Sequence, residues 1–153
     1  MTDLLDVNLL ISLAWPNHVH HAAARAWFGA RGGQAWATTP VTEAGFVRVS
    51  SNKSAISTAV TPGDARSLLG QIRDVDGHVF FPDDVELVTG SERVLAQRLV
   101  GYRQVTDAHL LAVARRHGAR LATLDNAVRT LAGEDAGDVV VVPVPPIAAP
   151  ASS

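Results

Sequence analysis

Short apolar runs alternate along this chain with longer segments whose apolar residues recur at helical spacing. The short runs are typical of buried strands, and the periodic segments are typical of amphipathic helices. Repeated alternation of strand and helix favours an α/β fold with a parallel sheet. At 153 residues the chain is long enough to bury a sizeable core. We predict one domain over residues 1–146 and a disordered, Pro/Ala-rich tail at 147–153.

Capping and turn residues set the predicted element boundaries. Trp15-Pro16 and Gly118 are helix stops, while Thr39-Pro40 and Thr61-Pro62 each give an N-cap followed by proline at the first helical position. The predicted strands are 3–6, 34–38, 78–81, 120–124 and 139–144. Five predicted helices are 7–14, 20–30, 40–50, 62–72 and 105–117. A further helix is predicted to follow a capping box at 89–92 and to end near residue 99, and a last one to begin at a cap on Asp125 and to end at 131.

Four acidic residues adjoin apolar segments, namely Asp6, Glu43, Asp107 and Asp125. Two of them follow predicted strands and two lie in the first turns of predicted helices. In a parallel sheet the carboxyl ends of the strands share one edge, where ligands bind. Carboxylates gathered there are costly to desolvate and repel one another. A bound divalent cation, Mg²⁺ or Mn²⁺, would remove that conflict.

A carboxylate-held cation indicates a particular chemistry. Such an ion lowers the pKa of a bound water and stabilises charge on a phosphodiester oxygen. The pattern therefore predicts metal-dependent hydrolysis of a phosphate ester, with the four acids as both metal-binding and catalytic residues and with no side-chain nucleophile. Whether one or two metals bind stays open at this point.

A purely structural interpretation of the acids also exists. Asp6, Asp107 and Asp125 each stand where a helix N-cap belongs, and Glu43 in a first turn would suit the helix dipole. For any one residue alone that interpretation is favoured. For the set we favour the metal site, because Ser, Thr or Asn would serve as caps equally well and every position carries a carboxylate.

The segments LLDVN, TPVTEAGF, VTDAHLL and LATLD resemble those of the PIN-domain ribonucleases, and specifically the VapC toxins of bacterial toxin–antitoxin pairs. The similarity covers nearly the whole chain. It implies a three-layer α/β/α sandwich with a mainly parallel central sheet. It assigns the four acids to Mg²⁺ or Mn²⁺ binding, and Asn8 and Thr123 to orienting them.

The resemblance also implies an activity and partners. Proteins of that family cleave structured RNA endonucleolytically, frequently tRNA or ribosomal RNA. They are often homodimers, and a small VapB-type antitoxin protein blocks them. Lys53 stands where related sequences often carry proline, which bears on the substrate loop and not on the metal site. Candidates for contacts with RNA phosphates are Arg48, Lys53, Arg103, Arg115 and Arg116. The last two arginines also suit a helix C-terminus.

Composition and charge limit the kinds of binding site and the location that we expect for this protein. The formal net charge is −2, so RNA must be met by local arginine patches and not by a global basic field. The absence of cysteine excludes disulfides and thiolate metal sites and fits a reducing interior. Without a basic signal-peptide region or an uninterrupted apolar stretch of about 18 residues, we expect a cytoplasmic protein with no membrane span.

Other motifs are assigned structural roles. We interpret His18, His20 and His21 as a solvated helix start, because no second ligand group follows at fixed spacing. Aromatic residues at helical spacing belong more often to the hydrophobic core or an interface than to a surface on which bases stack. We expect the same of Trp36. We expect Trp15, Trp27 and Phe28 to be exposed beside an apolar groove near the first helices. The antitoxin would cover this groove and reach the acids with a basic side chain.

Two alternative functions are considered. A phosphoaspartyl enzyme could use Asp6 as nucleophile, since Asp6-Val7-Asn8 resembles a DxD start, but it needs a lysine after a later strand and Lys53 lies in a loop. A non-catalytic interaction domain could retain the PIN fold alone. A missing acid would favour that alternative, and here none is missing.

Overall fold

The computed structural model describes residues 1–88, 101 and 104–146. Its strands are β1 Asp3–Leu5, β2 Trp36–Thr38, β3 His78–Phe80, β4 Arg120–Thr123 and β5 Val139–Val141. They form one sheet in the order β3-β2-β1-β4-β5, and every pairing is parallel. The helices in the described residues are α1 Val7–Ala14, α2 His21–Ala30, α3 Pro40–Ser50, α4 Pro62–Arg73, α5 Val105–Arg116 and α6 Val128–Ala132, with a 3₁₀ helix at Gly133–Asp138.

Two hydrophobic clusters cover the two faces of the sheet. Successive side chains of a strand point to opposite faces, and in β1 Leu4 joins one cluster while Leu5 joins the other. The cluster of Leu4 contains buried residues of α5 and α6. The cluster of Leu5 contains residues of α1 to α4. This arrangement confirms the predicted three-layer α/β/α architecture.

The predicted start of α3 is confirmed in detail. Thr39 is the N-cap and Pro40 occupies the first helical turn. The Thr42 backbone N–H donates to Thr39 Oγ1 at 3.2 Å, and the Thr39 N–H donates to Thr42 Oγ1 at 2.8 Å. Because both ends of this capping box are closed, the first turn that carries Glu43 is fixed relative to β2.

One predicted cap is wrong. The N-cap of α6 is Ala127, because Asp125 Oδ1 accepts the Ala127 N–H at 2.9 Å and so closes a turn before the helix begins. The N-cap of α5 is Gln104, so Asp107 lies in the first turn of the helix as predicted, and not at the cap position of the structural alternative. Asp6, by contrast, caps α1 as expected. The predicted helix after residues 89–92 and the tail at 147–153 lie outside the described residues.

A close approach of α1 and α3 sets the distance between two parts of the site. A Cβ atom placed on Gly45 would lie 2.5 Å from Val7 Cγ2. Val7 directly follows Asp6, and Gly45 lies two residues after Glu43. Glycine at position 45 therefore lets α3 pack against the start of α1.

The aromatic side chains near the N-terminus are less exposed than predicted. Trp15, Trp27 and Phe28 are half-buried and pack against the core, and Trp36 is buried. Trp15 Nε1 donates to Ser50 Oγ at 3.1 Å, and the Phe28 ring meets Trp36 edge-on at 5.7 Å. The prediction of an exposed aromatic set is thus wrong, because these rings fill the space between α1, α2 and the sheet. An apolar cavity of about 330 Å³ persists there, bordered by Leu13, Phe28 and Ile72 among others.

In the ranges 1–88 and 104–146, none of the helices has the length and apolar character that crossing a membrane requires.

Candidate functional site

Asp6 lies at the carboxyl end of the central strand β1. Its Oδ1 accepts the Leu9 backbone N–H at 2.8 Å, and its carboxylate is hydrogen-bonded by the Thr123 side chain at the end of β4. Only 7% of the residue is exposed. Burial raises the pKa of Asp6 to about 6, and the charges of Asp107 and Asp125 act in the same direction. Its surroundings therefore disfavour the ionised form of Asp6.

Asp107 and Asp125 interact electrostatically with Asp6 and with each other. Asp107 is half-buried in the first turn of α5, and its pKa is raised by burial and then by the charge of Asp125. Asp125 follows β4, is exposed, and donates its backbone N–H to Thr123 Oγ1 at 3.0 Å. The Thr123 hydroxyl thus connects two of the acids. The structure brings three of the four predicted acids together at one edge of the sheet.

Glu43 is held by a different set of partners. Its Oε2 accepts a hydrogen bond from Thr38 Oγ1 at 2.7 Å, and its Oε1 lies 3.3 Å from Arg73 Nη1. Thr38 Oγ1 is also 2.8 Å from His78 Nε2. Since the single hydroxyl proton of Thr38 points to Glu43, His78 must donate from Nε2. Glu43 therefore stands at the same edge, anchored by β2, α4 and β3.

The acids form no ready-made cage for an ion. Among residues 1–88, 101 and 104–146, no three His, Cys, Asp or Glu side chains are arranged closely enough to hold a metal as they stand. The donor chemistry nevertheless fits a hard divalent cation. Asp6, Asp107 and Asp125 offer only oxygen atoms, and burial together with the charges of neighbouring acids raises the pKa of Asp6 and of Asp107. Mg²⁺ commonly uses one or two carboxylates and completes its shell with water and phosphate oxygens, so no cage is required.

A cleft of about 440 Å³ opens beside these acids. Asp6, Asn8, Thr123 and Asp125 line one part of it, and His18 and His20 line another. The predicted helix start is confirmed, because His20 is the N-cap of α2, and both His18 and His20 are half-buried beside the cleft. The signal that could have indicated them is their place in the connection that follows α1, the helix capped by Asp6.

The predicted RNA-contact residues lie elsewhere. Arg115 is 2.9 Å from Asp138 Oδ2, and Arg116 is 2.8 Å from Asp84 Oδ2. Arg48 and Lys53 are exposed at the end of α3 and in the loop after it. Arg103 lies outside the described residues. Among the described residues of this group, no side chain contributes to the lining of the 440 Å³ cleft.

A second buried carboxylate on β1 gives a useful contrast. Asp3 is fully buried, and its two oxygens lie 2.7 Å from Arg31 Nε and 2.8 Å from Arg120 Nη2. The chain thus supplies two guanidinium groups to Asp3. In the described part of the chain, no lysine or arginine pairs with Asp6 in the same way.

Comparison with known proteins agrees with this arrangement. The family model of the PIN domain matches residues 4–134, a span that contains all four acids. The chain belongs to the PIN-domain family. This PIN domain is 52% identical over 128 residues to a Mycobacterium tuberculosis protein named ribonuclease VapC39, covering 84% of this chain and 91% of that protein. It is 54% identical over 129 residues to ribonuclease VapC38 of the same organism, covering 84% and 89%. Ribonuclease VapC29, also from that organism, is 39% identical over 136 residues, covering 88% and 93%.

Proposed function

We propose that this PIN domain is the toxin of a toxin–antitoxin pair and acts as a Mg²⁺- or Mn²⁺-dependent endoribonuclease. The observation that carries the proposal is the meeting of Asp6, Asp107 and Asp125 at the carboxyl edge of the sheet, where burial and then the neighbouring acidic charges raise the pKa of Asp6 and of Asp107. The names of the similar proteins, ribonucleases VapC38 and VapC39, support RNA as the substrate.

Asp6, Asp107 and Asp125, together with Glu43, would hold the cation. When bound, it would activate water and stabilise the negative charge that develops on the phosphodiester during hydrolysis. The residues of the chain contribute orientation. Thr123 and the Leu9 N–H fix Asp6. Hydrogen bonds of this kind hold a ligand oxygen in place and favour its charged form.

Glu43 differs from the aspartates because a cation and Arg73 would compete for it. Its Oε1 is 3.3 Å from Arg73 Nη1, and the arginine side chain is 41% exposed. A partly exposed ion pair of this kind contributes little stability, so Glu43 can exchange it for a stronger partner. Thr38 would keep the other carboxylate oxygen in position during that exchange.

The finer points of the proposal concern substrate and partners. We propose tRNA or ribosomal RNA as the target, homodimer formation, and a VapB-type antitoxin that covers the apolar cavity between α1, α2 and α4. The size of this cavity, about 330 Å³, and its apolar border support a side chain of the antitoxin as the occupant. Co-expression with the neighbouring small open reading frame tests this point: no complex and no relief of toxicity would contradict it.

The central experiment incubates the purified protein with total RNA in Mg²⁺ or Mn²⁺, and then with EDTA. We expect cleavage that needs the metal and is lost in Asp6→Asn. Asp64→Asn is the matched control, because Asp64 is an exposed acid in the first turn of α4. Cleavage that survives EDTA, or an Asp6→Asn variant of normal activity, would refute the mechanism. A folded protein that never cleaves RNA would favour the non-catalytic alternative. Sequencing of RNA ends after induction would identify the target.

A further inference from the structure

Two histidines line the same cleft of about 440 Å³ as two acids of the proposed metal site. Asp6 and Asp125 form the acidic part of the lining, and His18 and His20 come from the connection between α1 and α2. A cleft of this volume is within the range of small-ligand sites and can take a nucleotide. The two histidines are therefore placed where a bound RNA strand would pass.

A backbone hydrogen bond defines which ring nitrogen of His18 carries the proton. Its Nδ1 accepts the backbone N–H of His20 at 3.0 Å. The proton of a neutral ring must then reside on Nε2, which becomes a hydrogen-bond donor. Burial, followed by the charges of His20 and His21, lowers the pKa of His18 and favours this neutral form.

His20 and His21 have separate roles although they are adjacent. His21 Nδ1 lies 2.7 Å from the Ser12 carbonyl oxygen and so ties α2 to α1. His20 is the N-cap residue of α2, yet its side chain makes no capping hydrogen bond. Within the residues that the structure describes, the recorded contact of its ring is with the His18 ring, at 5.8 Å between centroids. The donors of His18 and His20 are thus available to a ligand in the cleft.

We propose that His18 and His20 bind the RNA backbone next to the scissile phosphate, each as a hydrogen-bond donor. This inference rests on the proposed nuclease function. The acids of the cleft repel phosphate oxygens except where a cation intervenes, so the strand needs hydrogen-bond donors elsewhere in the lining. Phosphate and sugar contacts of this kind position a nucleic acid without reading its sequence. The described arginines and the lysine considered above do not line this cleft.

The test compares glutamine and phenylalanine at both positions in steady-state cleavage of a labelled RNA with Mn²⁺. Glutamine keeps an N–H donor and phenylalanine keeps only the ring. We expect His18→Phe and His20→Phe to raise KM about tenfold each, and the glutamine variants to stay within about threefold of the wild type. The stabilisation of the protein by Mn²⁺ should be unchanged. The control is His117→Phe, because His117 pairs with Asp84 and stacks on Phe81 away from the cleft.

Several outcomes would overturn the inference. They are unchanged KM in both phenylalanine variants, or glutamine variants as impaired as phenylalanine ones. Circular dichroism and thermal melts check folding, and if His18 variants misfold, the His20 variants decide alone. If the wild type does not cleave the RNA, its binding of the same RNA in Mn²⁺, measured by fluorescence anisotropy, separates this inference from the nuclease proposal. A wild type that binds RNA without cleaving it, and loses binding about tenfold in His20→Phe, would refute only the nuclease proposal. A wild type that does not bind RNA would refute the role of both histidines.

Discussion

Thr38 Oγ1 lies 2.7 Å from Glu43 Oε2, so a fully buried hydroxyl at the end of β2 holds an acid in the first turn of α3. The same hydroxyl is 2.8 Å from His78 Nε2. Three neighbouring elements of the sheet edge are thereby joined through a single oxygen. Glu43 is oriented by contacts that lie outside its own helix.

Thr38→Val should therefore impair metal binding through Glu43. Valine has a similar shape but leaves Glu43 Oε2 and His78 Nε2 without their shared partner. Losses of this kind typically reduce metal affinity or activity by about 10–100-fold. The measurement is the Mn²⁺ concentration that gives half-maximal cleavage. Thr58→Val, in the exposed loop after α3, is the control. A variant that only loses stability, with unchanged Mn²⁺ dependence, would contradict this role of Thr38.

Asp6→Asn should stabilise the protein in EDTA at neutral pH. The pKa of Asp6 is about 6 in the folded protein against 3.8 for an unperturbed aspartate. Between these two pH values the folded state binds a proton that the unfolded state has released, so the free energy of unfolding falls as pH rises and stays lowered above pH 6. Asparagine removes the charge and still caps α1.

The expected gain for Asp6→Asn is about 1–3 kcal/mol at neutral pH and close to zero at acidic pH. Urea unfolding in EDTA on either side of the Asp6 titration measures it. The idea fails if the variant is less stable than the wild type at neutral pH, or if the difference between the two does not change with pH.

Mn²⁺ should stabilise the wild type in a pH-dependent way. Carboxylates must be ionised to bind a cation, so protons compete with the metal where the raised pKa values of Asp6 and Asp107 place the titration. At about 100 times the dissociation constant, a ligand stabilises by about 2.7 kcal/mol. Thermal melts with and without Mn²⁺ should show a large shift at neutral pH and a small one near acidic pH. The melting temperature of Asp6→Asn should change little with Mn²⁺ at either pH. An equal Mn²⁺-induced change in the wild type and the variant would show that the ion binds elsewhere.

Gly45→Ala should destabilise the protein although alanine is the better helix former. The added Cβ would lie 2.5 Å from Val7 Cγ2, and overpacking of this kind typically costs about 1–3 kcal/mol. The matched control is Gly70→Ala in α4, where a Cβ meets nothing within 4 Å and should stabilise by about 0.5–1 kcal/mol. Combining Gly45→Ala with Val7→Ala should recover part of the loss. Equal stability of the two single variants in urea unfolding would show that α1 and α3 are not tightly packed.

Elements bounded by local chemistry could be predicted from the sequence. The limits of α1 follow from the cap at Asp6 and from Trp15-Pro16, and those of α3 follow from Thr39-Pro40. The strands were predicted too long because an apolar run does not end where strand pairing ends. Val142, for example, is buried beyond the last residue of β5.

Contacts between distant residues could not be predicted in this way. Arg73 and Glu43 are 30 residues apart, and no spacing rule connects α4 with the first turn of α3. The position of His18 and His20 beside Asp6 likewise depends on how the connection between α1 and α2 returns past β4. The sequence could indicate which acids share the sheet edge, since strand ends define that edge. It could not indicate which of them are already held by other side chains.

Asp3 begins β1 and Asp6 follows it, and within the ranges 1–88 and 104–146 Asp3 has two arginine partners whereas Asp6 has none. A change from aspartate to asparagine at position 6 needs one altered base in the codon. Under the proposed function, this one substitution would give an inactive protein that is at least as stable as the wild type and still binds the antitoxin. Cells that suffer from the active form would thus have a short genetic route to escape, and inactive alleles collected under such selection should recur at this codon.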